Sequence, residues 1–179
     1  MLMGLVGSEM CIRDRYPVPQ HICEITNGLI DQNVLHFDKS ANDDMTLTYH
    51  DSCNVARASS MGGIMGGQFT IPRKIIQTVA NNFYDMDDET IREKTYCCGG
   101  GGGLLTDDLM ELRVKGALPR MEALKHLIEE KGVTHMAAIC AICKSQFSKV
   151  FQYYDLELDQ IVSLHQLVSN ALIMNKKEV

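Results

Sequence analysis

The chain has 179 residues, of which 45% are hydrophobic, and this is enough for one domain with a buried core. Its formal net charge is −6 and no block of Lys or Arg stands out, which argues against nucleic acid as a main partner. No apolar run in the sequence is long enough to span a membrane. Seven cysteines in a sequence that shows no secretory signal favour a metal-binding or catalytic role over a disulfide framework.

The first stretch of the chain is expected to be foreign to the fold. Residues 1–15 read MLMGLVGSEMCIRDR, which resembles translated sequencing-adapter read-through and is too short and too polar for a signal peptide. We expect residues 1–15, including Cys11, to be a disordered artefact and the natural N-terminus to be missing. Residues 16–179 are then expected to form one domain. A disordered natural tail is the alternative.

The first half of the genuine chain predicts two long helices and one strand. Apolar spacing predicts a helix within residues 17–35, where Cys23 is expected to be a small buried hydrophobe. Residues 45–50 alternate apolar and polar side chains, which predicts a strand that ends shortly before Cys53. A short helix is expected after that cysteine, and a longer one over residues 71–82.

The second half continues the alternation of strands and helices. The predicted strands are residues 91–96, 133–139 and 156–158. The predicted helices are residues 106–116, 118–130, 145–154 and 163–174. This order predicts an α/β fold with a parallel sheet of about four strands and helices on both faces. Each of three cysteine groups follows a predicted strand, and that edge of an open α/β sheet is where ligands bind.

Five cysteines form the most informative pattern in the sequence: Cys53, Cys97, Cys98, Cys140 and Cys143. A structural zinc ion takes four ligands, and a cubane iron–sulfur cluster also takes four thiolates. Five grouped thiols therefore favour an iron–sulfur cluster of uncommon shape. Zinc remains an alternative, as does a thioredoxin-like dithiol at the Cys-x-x-Cys motif, although a dithiol leaves the other three cysteines unexplained.

A run of five glycines follows the adjacent cysteine pair. A phosphate-binding loop would continue into Gly-Lys-Ser/Thr, whereas two aspartates near the start of the following helix would repel phosphate. Glycines beside a cluster let backbone N–H groups approach the sulfurs, and such hydrogen bonds tune the reduction potential. We therefore assign Gly99, Gly100 and Gly101 to cofactor binding. A plain flexible loop is the alternative.

Polar and charged side chains near the cysteines carry weaker signals. His50 and Asp51 precede Cys53, and they either support the site or only close the strand. A solvated face is expected for four basic residues: Arg113, Lys115, Arg120 and Lys144. Two residues are candidates for attracting an anionic partner: Arg57, which lies one helical turn after Cys53, and Lys144.

Three motifs together resemble the cysteine-rich CCG domain: His-Asp-x-Cys-Asn-x-Ala-Arg at residues 50–57, Cys-Cys and five glycines at 97–103, and Cys-x-x-Cys at 140–143. That domain occurs in heterodisulfide reductase catalytic subunits and in glycolate oxidase iron–sulfur subunits. The resemblance covers about residues 17–175, and residues 97–121 are most similar to the K subunit of the Dsr membrane complex of sulfur-metabolising microbes. Many relatives carry Pro in place of Ser52 and within the last Cys-x-x-Cys.

The resemblance implies a noncubane 4Fe–4S cluster that is held by all five cysteines and carries the catalysis. It implies a heterodisulfide reductase-like oxidoreductase, preceded by ferredoxin-type clusters, that cleaves or forms a disulfide on a thiol or on a small sulfur-carrier protein. The implied partners are a membrane cytochrome b-type subunit, other complex subunits and that carrier, with the protein on the cytoplasmic side of the inner membrane. The alternative is an electron-transfer module of a glycolate oxidase-like or other dehydrogenase complex, without direct substrate binding.

Overall fold

The computed structural model describes residues 19–102, 105–157 and 160–174. Residues 1–15, with Cys11, lie outside this part of the chain, so the artefact assigned to them stays a prediction. Within the described residues, six α-helices surround a parallel three-stranded sheet of order β1-β2-β3. The predicted α/β class and parallel sheet are confirmed, with three strands in place of about four.

The elements have the following bounds. The strands are β1 (Leu47–His50), β2 (His135–Ala138) and β3 (Ile161–Ser163). The helices are α1 (Ile22–Asp31), α2 (Cys53–Ala56), α3 (Gly67–Val79), α4 (Met110–Lys131), α5 (Ala141–Val150) and α6 (Leu164–Ala171). Short 3-10 helices lie at Lys39–Asn42, Arg92–Lys94, Asp107–Leu109 and Phe151–Tyr154. None of the helices in the described ranges combines the length and the apolar character needed to cross a membrane.

The sheet separates two hydrophobic cores. Leu47 and Tyr49 of β1 join one core, which is completed by α1, α3 and α6. Met136 of β2 joins the other core, together with α4 and α5. Because successive side chains of a strand point to opposite faces, His50 lies on the second side, where its ring meets the Phe147 ring edge-on at 4.9 Å between centroids. Helices therefore cover both faces, as predicted.

Helix α1 keeps Cys23 away from the other described cysteines. The helix begins with a capping box, in which the backbone N–H of His21 donates to Glu24 Oε2 at 2.6 Å and the His21 ring accepts from the backbone of Cys23. Cys23 is fully buried in the core that contains β1, α3 and α6. The expectation of a small buried hydrophobe is confirmed.

The predicted strand over residues 91–96 is wrong, since Arg92–Lys94 forms a 3-10 helix there. Asp51, which is distant in sequence, binds groups of this segment that would otherwise be available for strand pairing. The carboxylate of Asp51 accepts a hydrogen bond from the Arg92 N–H at 2.8 Å, and the Asp51 carbonyl accepts one from the Thr95 hydroxyl at 2.7 Å. The adjacent cysteine pair is therefore delivered by an irregular segment and not by a strand.

The predicted strand over residues 156–158 is also wrong, because the third strand is Ile161–Ser163. Residue 158 lies outside the described residues, and residues 156 and 157 are in no strand. Ile161 and Val162 are β-branched, and such side chains suit a pleated, half-buried surface better than Leu156 and Glu157. Pairing with β2 places Ile161 opposite Met136.

The predicted break between a helix over 106–116 and a second over 118–130 does not occur, because α4 continues from Met110 to Lys131. Pro119 lies inside the helix, where it removes a backbone donor. Buried contacts of Ala117 and Met121, on either side of the proline, hold the two halves on the same core.

Candidate metal centre

Two cysteine groups lie just past the carboxyl ends of neighbouring strands, as predicted. Cys53 is the first residue of α2 and follows β1, and Cys140 is the N-cap of α5 and follows β2. Cys143 lies in the first turn of α5 and is buried. Because β1 and β2 pair in parallel, these groups meet at one edge of the sheet.

The third group, Cys97 and Cys98, reaches the site from the loop that follows Arg92–Lys94. Arg57 fixes this loop, because its guanidinium donates to the carbonyl of Glu93 at 2.9 Å and to that of Thr95 at 2.7 Å. Arg57 was predicted to attract a partner. Its side chain also joins the end of α2 to the segment that carries the cysteine pair.

The thiol of Cys98 interacts with two other thiols, those of Cys97 and Cys143. Contact with Cys143, with burial as a further cause, raises the pKa of Cys98 to about 12, although contact with Cys97 opposes the rise. Contact with Cys98, and then burial, raises the pKa of Cys97 well above its usual range. Metal binding to such thiols would release their protons.

The five cysteines differ in their access to solvent. Cys97 is exposed, Cys53 and Cys140 are half-buried, and Cys98 and Cys143 are buried. A cavity of about 220 Å³ lies beside Cys97 and is lined on its apolar side by Leu109 and Leu112. One thiol of the group is therefore accessible to another molecule.

The glycine run brings backbone close to the sulfurs. The Gly99 N–H donates to Cys97 Sγ at 3.3 Å. A Cβ added at Gly100 would lie 3.4 Å from Cys98 Sγ, so a larger residue would crowd the thiol. A Cβ added at Gly116 of α4 would lie 3.3 Å from the Cα of Gly99, so the loop rests directly on the helix.

Arg113 is fully buried, which corrects the solvated face predicted for it. It donates to Gln146 Oε1 at 2.8 Å and to the carbonyls of Leu105 and Thr106 at 3.1 and 3.2 Å. Lys115 agrees with the prediction: its ammonium is exposed and pairs with Glu111. Lys144, also predicted on a solvated face, is half-buried.

Arg120 is likewise fully buried and was also predicted to be solvated. Its guanidinium donates to Thr95 Oγ1 at 3.1 Å, to the carbonyl of Thr90 and to the sulfur of Met86. It also lies 5.7 Å from the centre of the Tyr96 ring. Burial lowers the pKa of Arg120 to about 10.

A sequence signal for these two arginines exists. Charged residues are assigned to solvent by default because they are rarely buried. Arg113 and Arg120 nevertheless share the helical spacing of Ala117, Met121 and Leu124, all of which α4 buries. Their position within that stripe is the pattern that would have found them.

Several buried polar atoms near the cysteines have no hydrogen-bond partner among the described residues. They are both ring nitrogens of His50, the hydroxyl of Ser52, Nη2 of Arg113 and Nε of Arg120. Buried polar groups without partners are costly and usually indicate a bound group or water. Their position around the thiols fits a site that holds an anionic, sulfur-rich cofactor.

The described residues contain no group of three or more His, Cys, Asp or Glu side chains arranged to hold a single metal ion. In a cluster of several irons, the thiolates bind different iron atoms and stand farther apart than around one ion.

Asp51 stabilises the end of β1, next to the cysteine site. It forms a buried, two-pronged ion pair with Arg73, with N–O distances of 2.7 and 2.9 Å. Arg73 also donates to Asp85 at 2.7 Å. Burial opposes the charge of Arg73, but the hydrogen bonds to both carboxylates raise the pKa of Arg73 above its usual value. Asp51 therefore holds the end of β1 and does not face the thiols as a free carboxylate.

An open cleft of about 880 Å³ lies on the surface beside Arg57. Arg57 and Arg92 line it together with Met65 and Phe69. The cleft thus combines basic and apolar side chains.

Comparison with known proteins gives the following matches. Residues 47–148 match the family described as the CCG cysteine-rich domain. The chain is similar to the Hdr-like menaquinol oxidoreductase iron-sulfur subunit 2 of Archaeoglobus fulgidus and to the Hdr-like menaquinol oxidoreductase iron-sulfur subunit of Archaeoglobus profundus. Each is 43% identical over 154 residues, which cover 86% of this chain and 26% of the relative. The chain therefore spans about a quarter of the length of these relatives. No solved structure matches it.

Proposed function

Because this chain belongs to the family of CCG cysteine-rich domains, we propose that it is an iron–sulfur module of a larger Hdr-like oxidoreductase. The names of both relatives, iron-sulfur subunits of a menaquinol oxidoreductase, support a role in electron transfer between subunits. The observation that carries the proposal is that Cys53 and Cys140 follow the paired strands β1 and β2, and that the Cys98 thiol interacts with those of Cys97 and Cys143.

The proposed ligands are Cys53, Cys97, Cys98, Cys140 and Cys143, and the proposed cofactor is a noncubane 4Fe–4S cluster. Five thiols exceed the four that a zinc ion or a cubane cluster takes. When bound, the cluster supplies electrons one at a time to a sulfur atom held against it. In our proposal the glycine run, residues 99–101, directs backbone N–H groups toward the ligand sulfurs and lowers the cost of their negative charge. Residues 16–179 form the CCG domain in this proposal.

We propose further that the cluster exchanges these electrons with a disulfide substrate. Cleavage of RS–SR′ takes two electrons and two protons and yields two thiols, and the reverse reaction returns them. The exposure of Cys97 and the cavity beside it, with Leu109 and Leu112 as apolar walls, support direct approach of a substrate sulfur. A thiol or a small sulfur-carrier protein is the proposed substrate, as for the K subunit of the Dsr complex.

The proposed partners are a membrane cytochrome b-type subunit, other subunits of the complex and the sulfur carrier, at the cytoplasmic side of the inner membrane. Arg57, which lines the open cleft, and Lys144, beside the buried Cys143, are proposed to attract an anionic partner surface. An exposed charge such as that of Arg57 contributes about 0.2–1 kcal/mol.

A second candidate is an electron-transfer module whose cluster binds no substrate, as in a glycolate oxidase-like complex. The relatives' names favour it, because they state quinol oxidation and mention no disulfide. The two candidates differ at Cys97: in the disulfide function an added thiol changes the spectrum of the cluster, and in the electron-transfer function it does not.

Both candidate functions require an iron–sulfur cluster. Its presence is tested by anaerobic reconstitution of the chain with iron and sulfide, followed by metal analysis and electron paramagnetic resonance. About four irons per chain are expected for a 4Fe–4S cluster. Cys98→Ser is expected to lower the iron content or change the spectrum. Cys23→Ser is the matched control, because Cys23 is buried in the core on the other side of the sheet and should leave the iron content unchanged.

Two outcomes would contradict the proposal. One is a chain that takes up one zinc ion and no iron under these conditions. The other is equal loss of iron in both serine variants, which would mean that the five cysteines do not act as a separate group.

A further inference from the structure

Arg120 is a buried cation without a charged hydrogen-bond partner. It is fully buried in the middle of α4. Its hydrogen bonds among the described residues go to a carbonyl, a hydroxyl and a thioether, all uncharged, and its Nε has no partner there. A guanidinium taken out of water is strongly destabilising unless negative charge lies near it. The surroundings of Arg120 must therefore supply an anion.

Three described groups act electrostatically on Arg120: Asp51, Tyr96 and Cys143. The carboxylate of Asp51 acts on Arg120, but it is already engaged by both terminal nitrogens of Arg73. The other two groups belong to the cysteine site: Tyr96 directly precedes Cys97, and Cys143 is a proposed ligand of the cluster. The remaining negative charge near Arg120 would then be that of the bound centre.

The contacts of Arg120 also connect it to the cysteine site. Thr95, which accepts from Arg120, and Tyr96, whose ring faces the guanidinium, directly precede Cys97. Arg120 thus contacts the segment that delivers the cysteine pair and lies within electrostatic reach of the helix that delivers Cys143.

We propose that Arg120 is the counter-charge of the iron–sulfur centre: a positioning residue that favours the reduced state of the cluster. The inference rests on the function proposed above. Reduction adds one negative charge to the cluster, and a nearby cation in a low-dielectric interior stabilises that charge. Removal of the Arg120 charge then makes reduction less favourable and lowers the midpoint potential.

The test is a redox titration, monitored by electron paramagnetic resonance, of the full chain after anaerobic reconstitution. Arg120→Met removes the charge, and Arg120→Lys keeps it. Lys115→Met is the matched control, because it removes one positive charge from the same helix at a side chain that is 71% exposed. In Arg120→Met, the oxidised-to-reduced ratio at a fixed potential should rise at least tenfold, which corresponds to about 59 mV for a one-electron couple. Arg120→Lys and Lys115→Met should shift it by much less.

Each possible result either supports or overturns the role proposed for Arg120. An unchanged potential in iron-loaded Arg120→Met overturns the inference and leaves the iron–sulfur function intact. If Arg120→Met loses iron while Arg120→Lys retains it, the charge is needed to assemble the centre, which supports the inference. If Arg120→Lys loses iron as well, Arg120 acts through its shape and the inference fails. A wild-type chain without iron refutes the proposed function itself.

Discussion

Gly99 fixes the cysteine loop against helix α4. Its φ of +85° lies in the left-handed region, and an added Cβ would meet the Arg113 carbonyl oxygen at 2.3 Å and the Ala117 nitrogen at 2.9 Å. Gly102 shares the conformation, with a φ of +66°, but a Cβ there would meet no atom within 4 Å. Comparison of the two positions therefore distinguishes the requirement for a left-handed backbone from the requirement for close approach to α4.

Gly99→Ala is expected to destabilise the fold by about 2–5 kcal/mol, because the cost of the left-handed conformation is joined by overpacking against backbone that cannot move freely. Gly102→Ala should cost only about 1–2 kcal/mol, from conformation alone. Urea unfolding followed by circular dichroism measures both. Equal losses in the two variants would show that the contact of Gly99 with α4 is unimportant.

At the residue scale, the sequence was sufficient to find the cysteines and insufficient to find their surroundings. Cys53 follows a strand whose alternation is visible in the sequence, and Cys140 follows a short apolar run, so their common edge could be predicted. The buried state of Arg113 and Arg120 depends on residues 86–95 and 105–106, which supply their hydrogen-bond partners on one side of α4. Residues 86–95 are distant from Arg120 in sequence and leave no local pattern, although the spacing of the two arginines within the buried stripe of α4 does leave one.

At the element scale, Asp51 joins strand β1 to two other segments. Its carboxylate pairs with Arg73 of α3 and accepts from the Arg92 N–H, and its carbonyl accepts from the Thr95 hydroxyl. Because Asp51 is buried, the loss of its charge would leave the Arg73 guanidinium with the partly exposed Asp85 as its remaining ion-pair partner.

Asp51→Ala should therefore cost about 3–5 kcal/mol, the range found when one partner of a buried ion pair is removed. Asp31→Ala is the matched control: Asp31 pairs with Lys74 on the surface, both side chains are about half exposed, and such pairs contribute about 0–1 kcal/mol. The free energy of unfolding in urea is the measurement. A loss in Asp51→Ala no larger than that in Asp31→Ala would contradict the role given to Asp51.

The elements show why part of the fold could not be predicted. Strand β1 was found from the alternation of its side chains, and β2 from the short apolar run at residues 133–139. The segment at residues 91–96 also suits a strand, but Asp51 and Arg57 bind its backbone groups from positions about 40 residues away. Helix α4 was split at Gly116 and Pro119, whose local preference is overridden by burial on both sides of them.

At the scale of the whole molecule, the two faces of the sheet differ in polarity. The face toward α1, α3 and α6 is apolar, with Leu47 and Tyr49 from β1. The face toward α4 and α5 carries His50, beside the Phe147 ring and within electrostatic reach of Arg120. The polar face is the one on which the thiols lie, so the fold accepts a buried histidine and buried arginines at the position of the proposed cofactor.

This asymmetry makes the stability of the whole chain depend on pH. Burial, and then the positive charge of Arg120, hold the pKa of His50 well below its ordinary 6.5. The unfolded chain therefore binds a proton below about pH 6.5 that the folded chain does not, so stability falls as pH is lowered, by up to about 1.4 kcal/mol per pH unit. His50→Gln should reduce the loss between pH 7 and pH 5.5, measured by urea unfolding. His126→Gln, at an exposed site on α4, should retain it, and other titrating groups contribute alike to all three proteins. An equal pH dependence in wild type and His50→Gln would show that His50 is not the buried neutral group that links acid to unfolding.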